Sequence, residues 1–128
     1  MKPEAAAFLD KANDLLLRAP ALLAAGFTEE AGRAAYLAGY HAALAFIFER
    51  SGRSPKTHSG AQTEFARWAK NEGAIDGQLR GFLGRSYNLK AIADYETDPD
   101  ASVTQAQAAE AIDEARRFVA TIGAMIGR

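Results

Sequence analysis

The feature that most limits the fold of this chain is a run of fifteen residues without a charged side chain, Ala34 to Phe48, with the sequence AAYLAGYHAALAFIF. The run is shorter than the roughly 20 apolar residues that a helix needs to cross a bilayer, so no membrane association is predicted. Its apolar side chains would cover every side of a helix, which is typical of the central helix of a bundle. Thr28 suits the N-cap position, and we expect this helix to end near Glu49 or Arg50.

The segment before the uncharged run also has the periodicity of a helix. Pro3 suits the first turn, where the N–H group that proline lacks would have no partner in any case. We expect this first helix to continue through a kink at Pro20 as far as Ala25. Gly26 would then follow the helix in the left-handed conformation that glycine adopts readily.

After the central helix, Pro and Gly interrupt the helical pattern. The sequence SGRSPKTHSG, residues 51–60, has the composition of a connection, because Pro55 excludes a continuing helix. The segment AQTEFARWAKN, residues 61–71, predicts a short third helix. A fourth helix is expected from about Ile75 to near Tyr95, where acidic turn residues and a proline follow.

The last third of the sequence carries a clear helix start. Two residue pairs, Ser102 with Gln105 and Thr104 with Gln107, both match the pattern in which two side chains bond the free N–H groups at the beginning of a helix. A fifth helix is therefore expected from this region to the end of the chain. Four long helices and one short helix, without strand-like alternation, predict an all-α antiparallel up-and-down bundle.

Composition limits the functions that are open to the chain. Its 128 residues fit a single domain, residues 1–128, and its fifteen Lys and Arg against sixteen Asp and Glu leave no global positive field for nucleic acid. The absence of cysteine excludes disulfides, thiolate nucleophiles and Cys-containing metal sites. The first ten residues, MKPEAAAFLD, lack an apolar signal core, so a cytoplasmic location is the expectation. No cofactor is predicted.

Three stretches together resemble the HEPN domain family, particularly its small stand-alone members. They are AAYLAGYHAALAFI in the central helix, PKTHSG in the connection, and ADY at the end of the fourth helix. The resemblance extends from about Phe8 to Met125. It implies a helical bundle, a homodimer with a cleft between the subunits, and a function linked to nucleotides or RNA. Many members are paired with a small nucleotidyltransferase antitoxin, and many act as metal-independent RNases through an R-x4-6-H motif.

One pair of residues matches the catalytic motif of the family in spacing but not in position. Arg53 and His58 have R-x4-H spacing, but they lie in the connection. The resemblance places the motif on the fourth helix, in LKAIADYE, where Lys90 stands in the position of the arginine. Asp94 and Tyr95 stand where the histidine would be. The candidate catalytic residues are therefore Lys90, Asp94 and Tyr95.

These three residue types fit RNA cleavage less well than arginine and histidine do. Cleavage needs a base for the 2′-hydroxyl proton and an acid for the leaving oxygen, and an unperturbed tyrosine near pKa 10 or aspartate near 4 is poorly matched to neutral pH. Lysine lacks the two-pronged grip of arginine on phosphate. A structural interpretation stays open, in which Asp94 caps or pairs near the helix end, Tyr95 packs its ring, and Lys90 interacts with the helix dipole.

The histidines and the basic connection supply the candidate binding residues. His41, amid apolar neighbours, is either a neutral histidine bonded to an oxygen or a residue of the cleft. Lys56 and His58 lie in the connection and are expected to be partly exposed. They are candidates for binding a nucleotide or RNA, or they belong to an ordinary solvated loop. No metal site is predicted, because the histidines lack a metal-binding spacing.

Three functional hypotheses remain at this stage. In the first, the protein mainly binds, either to a partner nucleotidyltransferase or to a nucleotide or RNA, as part of a toxin–antitoxin-like pair. In the second, it is an RNase toxin that uses Lys90, Asp94 and Tyr95 with help from His41 or His58. In the third, it is a structural helical dimer without a ligand. The resemblance also implies that the partner can modify a tyrosine near the motif, which makes Tyr95 a candidate acceptor.

Overall fold

The computed structural model describes residues 1–127, and in that range it consists of helices and their connections. Residues 1–127 contain six α-helices, and the longest of them form the bundle that the sequence predicts. A single turn of 3-10 helix at Pro99–Ala101 precedes the last α-helix. The α-helices are α1 (Pro3–Ala24), α2 (Thr28–Ser51), α3 (His58–Ala69), α4 (Gly77–Arg80), α5 (Phe82–Tyr95) and α6 (Gln105–Met125).

The helix α2 lies at the centre of the bundle, as its uncharged sequence predicts. It packs against α1, α3, α5 and α6, and most residues of its middle section are buried. Its neighbour α1 runs antiparallel to it, because the backbone N–H of Lys2 donates to Glu49 at the opposite end of α2. The helix α5 is also antiparallel to α2, since Arg33 pairs with Asp94. Both α1 and α5 therefore run antiparallel to the central helix α2.

The end of α1 agrees with the sequence prediction. The helix continues through Pro20, and Gly26 has a φ of 89°, the left-handed conformation that favours glycine. The N–H of Gly26 donates to the carbonyl of Leu23, and the N–H of Phe27 donates to that of Leu22. These two bonds form a Schellman motif, which satisfies carbonyl groups that the end of a helix would otherwise leave free.

Two predicted helix starts were wrong by one to three residues. Thr28 is the first residue of α2 and not its N-cap, since Phe27 occupies the cap position without a side-chain hydrogen bond. The third helix begins at His58 and not at Ala61. Thr57 causes the earlier start, because its backbone is extended and its side-chain oxygen accepts the N–H of Gly60. His58 is thus a helix residue, whereas Lys56 does lie in the connection.

The predicted fourth helix, from Ile75 to Tyr95, is divided into α4 and α5. Gly81 separates the two pieces with a ψ of −6°, far from the value near −42° of an α-helix. Asp76 caps α4 by accepting the N–H of Leu79. No α-helix within residues 1–127 is long and apolar enough to span a membrane.

At the start of α6, one of the two predicted capping pairs forms. Thr104 and Gln107 form the complete capping box, with Thr104 Oγ1 accepting the N–H of Gln107 and Gln107 Oε1 accepting the N–H of Thr104. Ser102 lies outside the helix. The predicted apolar stripe of this helix is buried in full: Ile112, Ala115, Phe118, Val119, Ile122 and Ile126.

Candidate functional site

Two helix faces with the same residue spacing meet between α2 and α5. On each helix, three polar or aromatic side chains stand at intervals of three and four residues, so all three lie on one side of the helix. Because the two helices are antiparallel and packed together, the two sets lie side by side. The residues are Arg33, Tyr36 and Tyr40 on α2, and Tyr87, Lys90 and Asp94 on α5.

One carboxylate holds two cations at the end of this shared face. The Oδ2 atom of Asp94 lies 2.7 Å from the Nζ atom of Lys90, and its Oδ1 atom lies 2.8 Å from the Nε atom of Arg33. We call these three residues the ion cluster. Two positive charges and one negative charge leave a surplus of one positive charge, which lies on a protein whose formal net charge is −1. The ion cluster therefore carries a local excess of positive charge.

Lys90 is the least exposed charged residue of the ion cluster. The whole residue is 8% exposed, although lysine is rarely this buried without a partner. The hydrogen bond to Asp94 raises the pKa of Lys90, and the hydrogen bond from Lys90 together with the charge of Arg33 lowers the pKa of Asp94. Lys90 and Asp94 therefore both stay charged at neutral pH.

Next to the ion cluster, the ring of His58 packs among three tyrosine rings. Its ring centroid lies 4.4 Å from that of Tyr40, 5.6 Å from that of Tyr36 and 5.7 Å from that of Tyr87. We call these four residues the tyrosine–histidine cluster. The hydroxyl of Tyr36, a fully buried residue, lies 2.7 Å from Nδ1 of His58. The first residue of α3 is thus fixed against both α2 and α5.

The surroundings of His58 keep its imidazole neutral. Burial lowers its pKa, and the charges of Lys90, His41 and Arg33 lower it further, while Asp94 acts in the opposite direction. The pKa of Tyr36 is raised well above its ordinary value, mainly by burial, so its hydroxyl stays protonated. Burial likewise raises the pKa of Tyr40. A neutral imidazole and neutral phenols thus lie beside a positively charged cluster.

His41 lies on the other side of Tyr40. Its Nδ1 is 2.8 Å from the carbonyl oxygen of Leu37, and its ring makes an edge contact with Tyr40 and packs near Phe8. Burial lowers its pKa, and Lys11 adds to this effect. His41 is therefore a half-buried histidine bonded to the backbone, and the ring of Tyr40 contacts both His41 and His58.

The structure separates Lys56 from the other candidate residues. Lys56 and Arg53 line an open groove of about 500 Å³ between the end of α2 and the start of α3, together with side chains that include Thr57, Ser59 and Glu64. His58 is not among its lining residues. The R-x4-H pair of the sequence therefore does not form one site, because Arg53 lies in the groove and His58 lies in the tyrosine–histidine cluster.

Tyr95 differs from the other aromatic residues near the ion cluster. It is 73% exposed, and its ring lies 5.2 Å from Nζ of Lys90. Its hydroxyl has no hydrogen-bond partner within residues 1–127. The ring therefore covers one side of the Lys90 ammonium group, and the phenol oxygen is open to other molecules.

Four residues of this site were missed by the sequence analysis. Nothing in the sequence singles out Arg33 or Tyr87, and Tyr36 and Tyr40 lie inside the uncharged run, where they read as part of a buried helix. The sequence does contain a signal for them: on both α2 and α5, the site residues are separated by three residue positions and then by four. That signal becomes informative only when the two helices are known to pack face to face.

The described part of the chain offers no group of three or more side chains arranged to hold a metal ion. The chemistry that these residues can provide is anion binding by Lys90 and Arg33, hydrogen bonding by His58 and stacking by the half-buried rings.

Comparison with known proteins covers nearly the whole chain. A family model described as the HEPN domain matches residues 5–125. A protein of Methanocaldococcus jannaschii named "Putative toxin" is 32% identical over 119 residues, which is 93% of this chain and 86% of the relative. Both matches include the helices that carry the ion cluster and the tyrosine–histidine cluster.

Proposed function

The chain belongs to the HEPN domain family, and on this basis we propose that it is a toxin-like protein that binds a phosphate group of RNA or of a nucleotide at the ion cluster. Binding, rather than catalysis, is its main role. The observation that carries the proposal is the shared carboxylate, because Asp94 neutralises only one of the two cations that it contacts. A phosphate oxygen is a suitable second anion for this site.

The aromatic rings beside the ion cluster favour a nucleotide or RNA, rather than a simple anion, as the ligand. Tyr40, His58 and Tyr87 are half-buried residues, in contrast to the fully buried Tyr36. Bases stack on such rings while cations hold the backbone, and this combination is typical of proteins that bind single strands with little sequence preference. Phosphate on Lys90 and Arg33 with a base on an aromatic ring fits the arrangement of the two clusters.

Binding can be tested with a fluorescent single-stranded RNA and measured by anisotropy across a salt series. A Lys90→Met variant should bind more weakly and should lower the slope of log affinity against log salt by about 0.7, the value for one phosphate contact on a single strand. Arg116→Met is a matched control, since it removes one arginine of an exposed ion pair on α6. Equal slopes for the two variants would count against binding at the ion cluster.

A partner nucleotidyltransferase is the second part of the proposal, carried by the family and by the toxin name of the archaeal relative. Co-expression with a small nucleotidyltransferase encoded beside this gene should yield a complex that survives purification. Tyr95 is the proposed acceptor if that partner transfers a nucleotide, since its phenol is exposed and without a hydrogen bond in the described chain. Mass spectrometry of the co-expressed protein should show the added mass, and Tyr95→Phe should abolish it.

Metal-independent RNA cleavage is the alternative function, with a composite site of Lys90, Asp94 and Tyr95 in the cleft of a homodimer. One observation favours it, namely the neutral imidazole of His58 within the electrostatic influence of Lys90 and Arg33. Asp94 argues against it, because its lowered pKa keeps the carboxyl ionised and unable to act as an acid. Growth arrest on expression, with RNA fragments that disappear in Lys90→Met, would establish cleavage, and sedimentation would establish the dimer.

A structural dimer without a ligand is the remaining hypothesis. It predicts that charge changes at the ion cluster alter neither RNA affinity nor the salt slope, while the dimer is retained. The anisotropy series therefore separates it from binding.

A further inference from the structure

We propose that Tyr36 holds His58 as the neutral tautomer with its proton on Nε2, so that His58 offers an N–H donor to a phosphate oxygen of the ligand. The assignment of the tautomer stands on the geometry of the unliganded protein. The identity of the acceptor rests on the proposed function. His58 is then a binding residue, and Tyr36 is a positioning residue that acts through it.

His41 provides the opposite case within the same protein. Its Nδ1 lies 2.8 Å from the carbonyl oxygen of Leu37, and a carbonyl oxygen can only accept a hydrogen bond. The proton of neutral His41 must therefore be on Nδ1. His41 and His58 are the only two histidines of the chain, so the protein carries one of each tautomer.

The partner of His58 Nδ1 is a hydroxyl, which can donate as well as accept, and burial decides between these roles. Tyr36 is 0% exposed, so its O–H proton cannot be given to solvent and needs an acceptor inside the protein. His58 Nδ1, at 2.7 Å, is the acceptor that the hydrogen-bond geometry provides. If Nδ1 carried a proton instead, two donors would face each other unless the phenol turned to another acceptor.

Gln62 acts on Tyr36 in the direction of a hydrogen-bond donor. Its side chain lowers the pKa of Tyr36 against the dominant effect of burial, whereas an amide oxygen that accepted the phenol proton would raise that pKa. The Tyr36 proton therefore remains available to His58 Nδ1, which lies 2.7 Å from the hydroxyl oxygen.

The remaining ring nitrogen, Nε2 of His58, is open to a ligand. It has no hydrogen-bond partner within residues 1–127. In the same range, every buried side-chain nitrogen and oxygen has such a partner, so Nε2 must be reached by solvent. The stacked ring of Tyr40, 4.4 Å away between centroids, restricts rotation of the imidazole. Tyr36 and Tyr40 thus fix both the tautomer and the orientation of the exposed N–H.

This tautomer determines what His58 can do. An imidazole that acts as a base through Nε2 must have a free electron pair there, and the Nε2–H tautomer has a proton instead. The charges of Lys90 and Arg33 act on His58, so its N–H group adds a directional donor to the field of two cations, which suits a tetrahedral oxyanion. The same site can thus bind phosphate through three side chains without His58 removing a proton from the 2′-hydroxyl.

Nuclear magnetic resonance of the unliganded protein tests the tautomer, because two histidines give only two sets of ring signals. In long-range ¹H–¹⁵N spectra at about pH 8, above the ordinary histidine pKa of about 6.5, His58 should show a protonated Nε2 and an unprotonated Nδ1. His41 should show the reverse. In Tyr36→Phe, the His58 signals should shift and those of His41 should not.

A protonated Nδ1 on His58 in the unaltered protein would overturn the inference. So would His58 signals that are unchanged by Tyr36→Phe. Should Tyr36→Phe fail to fold, the spectrum of the unaltered protein still decides the tautomer. None of these outcomes depends on whether the protein binds RNA.

Two substitutions of His58 test the role of the donor. Glutamine can present an amide N–H near the position of Nε2 but cannot act as a base at neutral pH, and alanine can do neither. With adenosine monophosphate and a short single-stranded RNA as probes, His58→Ala should weaken binding about tenfold, as expected for a lost hydrogen bond to a charged group. His58→Gln should retain most of the affinity.

The two probes also separate a free nucleotide from an RNA backbone as the source of the phosphate. If probes bind but glutamine and alanine cause equal losses, the proposed function stands and the donor role of His58 is wrong. If neither probe binds the unaltered protein, the proposed function and the identity of the acceptor are both wrong, whatever the tautomer.

Discussion

The Nζ atom of Lys90 lies 2.7 Å from the Oδ2 atom of Asp94, one helical turn further along α5. The other carboxylate oxygen of Asp94 contacts Arg33 on α2, so the same side chain joins two helices. Asp94 therefore has a structural role, since it stabilises Lys90 in a nearly buried position. It also has an electrostatic role, since it leaves one positive charge available. Substitutions can separate these roles.

Asp94→Asn should destabilise the fold and strengthen phosphate binding. The change leaves Lys90 without the anion that stabilises its charge, and we expect the free energy of unfolding in urea to fall by about 0.5–1 kcal/mol, as for a single ion pair. RNA affinity should rise, because the ion cluster gains a positive charge. The double variant Lys90→Met, Asp94→Asn is the control and should recover part of the stability. Unchanged stability in Asp94→Asn would show that the ion pair contributes nothing to the fold.

Lys90→Met should raise the pKa of His58. Burial is the main cause of the lowered pKa of His58, and the charge of Lys90 is the next contribution. Removing that charge removes one cause of the depression, so the imidazole should take up a proton at a higher pH. Asp94→Asn should have the opposite effect, because the carboxylate raises the pKa of His58. Histidine ring signals followed through a pH titration measure both shifts.

His41 is the internal control for this titration. Its pKa is lowered by burial and by Lys11, so neither substitution on α5 should move it. Equal shifts of both histidines would point to a general change in the fold and not to the charge of Lys90.

The free energy of unfolding should decline as the pH falls below about 6.5. Both histidines have lowered pKa values in the folded protein, whereas in the unfolded chain they titrate near 6.5, so the unfolded state binds protons first. Their contribution to stability is complete above about pH 6.5, and it is lost progressively as the pH falls to the folded values. The loss should not exceed about 1.4 kcal/mol per pH unit for each histidine. Urea titrations at a series of pH values measure it.

Protonation of Asp94 should cause a separate loss of stability at lower pH. The folded pKa of Asp94 is depressed, so its contribution is present above about pH 4 and is lost as the pH falls through the folded value. His58→Gln should make the free energy of unfolding less dependent on pH between pH 6.5 and 5. The loss of stability that Asp94 causes at lower pH should stay unchanged. A free energy of unfolding that stays constant down to pH 5 would contradict the predicted contribution of the two histidines.

Much of the bundle could be predicted from the sequence, because the signals that define it are local. The uncharged run that includes Tyr36 and Phe46 indicates a buried helix by itself, and Gly26 marks the end of α1. The pattern at Ser102 and Thr104 predicts a helix start near residue 104 but fits two registers. Only the hydrogen bonds of Thr104 and Gln107 choose between them.

The candidate site could be predicted only in part, because it depends on contacts between helices that are distant in sequence. Lys90 and Asp94 were found through the family pattern on one helix. Arg33 is 61 residues from Asp94, and nothing in its neighbourhood marks it as a partner. His58 was assigned to a connection, since the capping role of Thr57 was not recognised, and its contact with Tyr36 depends on where α3 begins.

The spacing of α2 and α5, which places the two halves of the site together, depends on Gly39. A Cβ atom at Gly39 would overlap the ring of Phe82, a buried residue that cannot move freely because it also packs against Phe118. Gly39→Ala should therefore lower the free energy of unfolding by about 1–3 kcal/mol, as overpacking does in other cores. Gly84→Ala on α5 is the control, since a Cβ there meets no atom within 4 Å and helix propensity should stabilise it by up to about 1 kcal/mol. Urea unfolding should give opposite signs for the two alanines, and a neutral Gly39→Ala would show that α5 can move away from α2 at little cost.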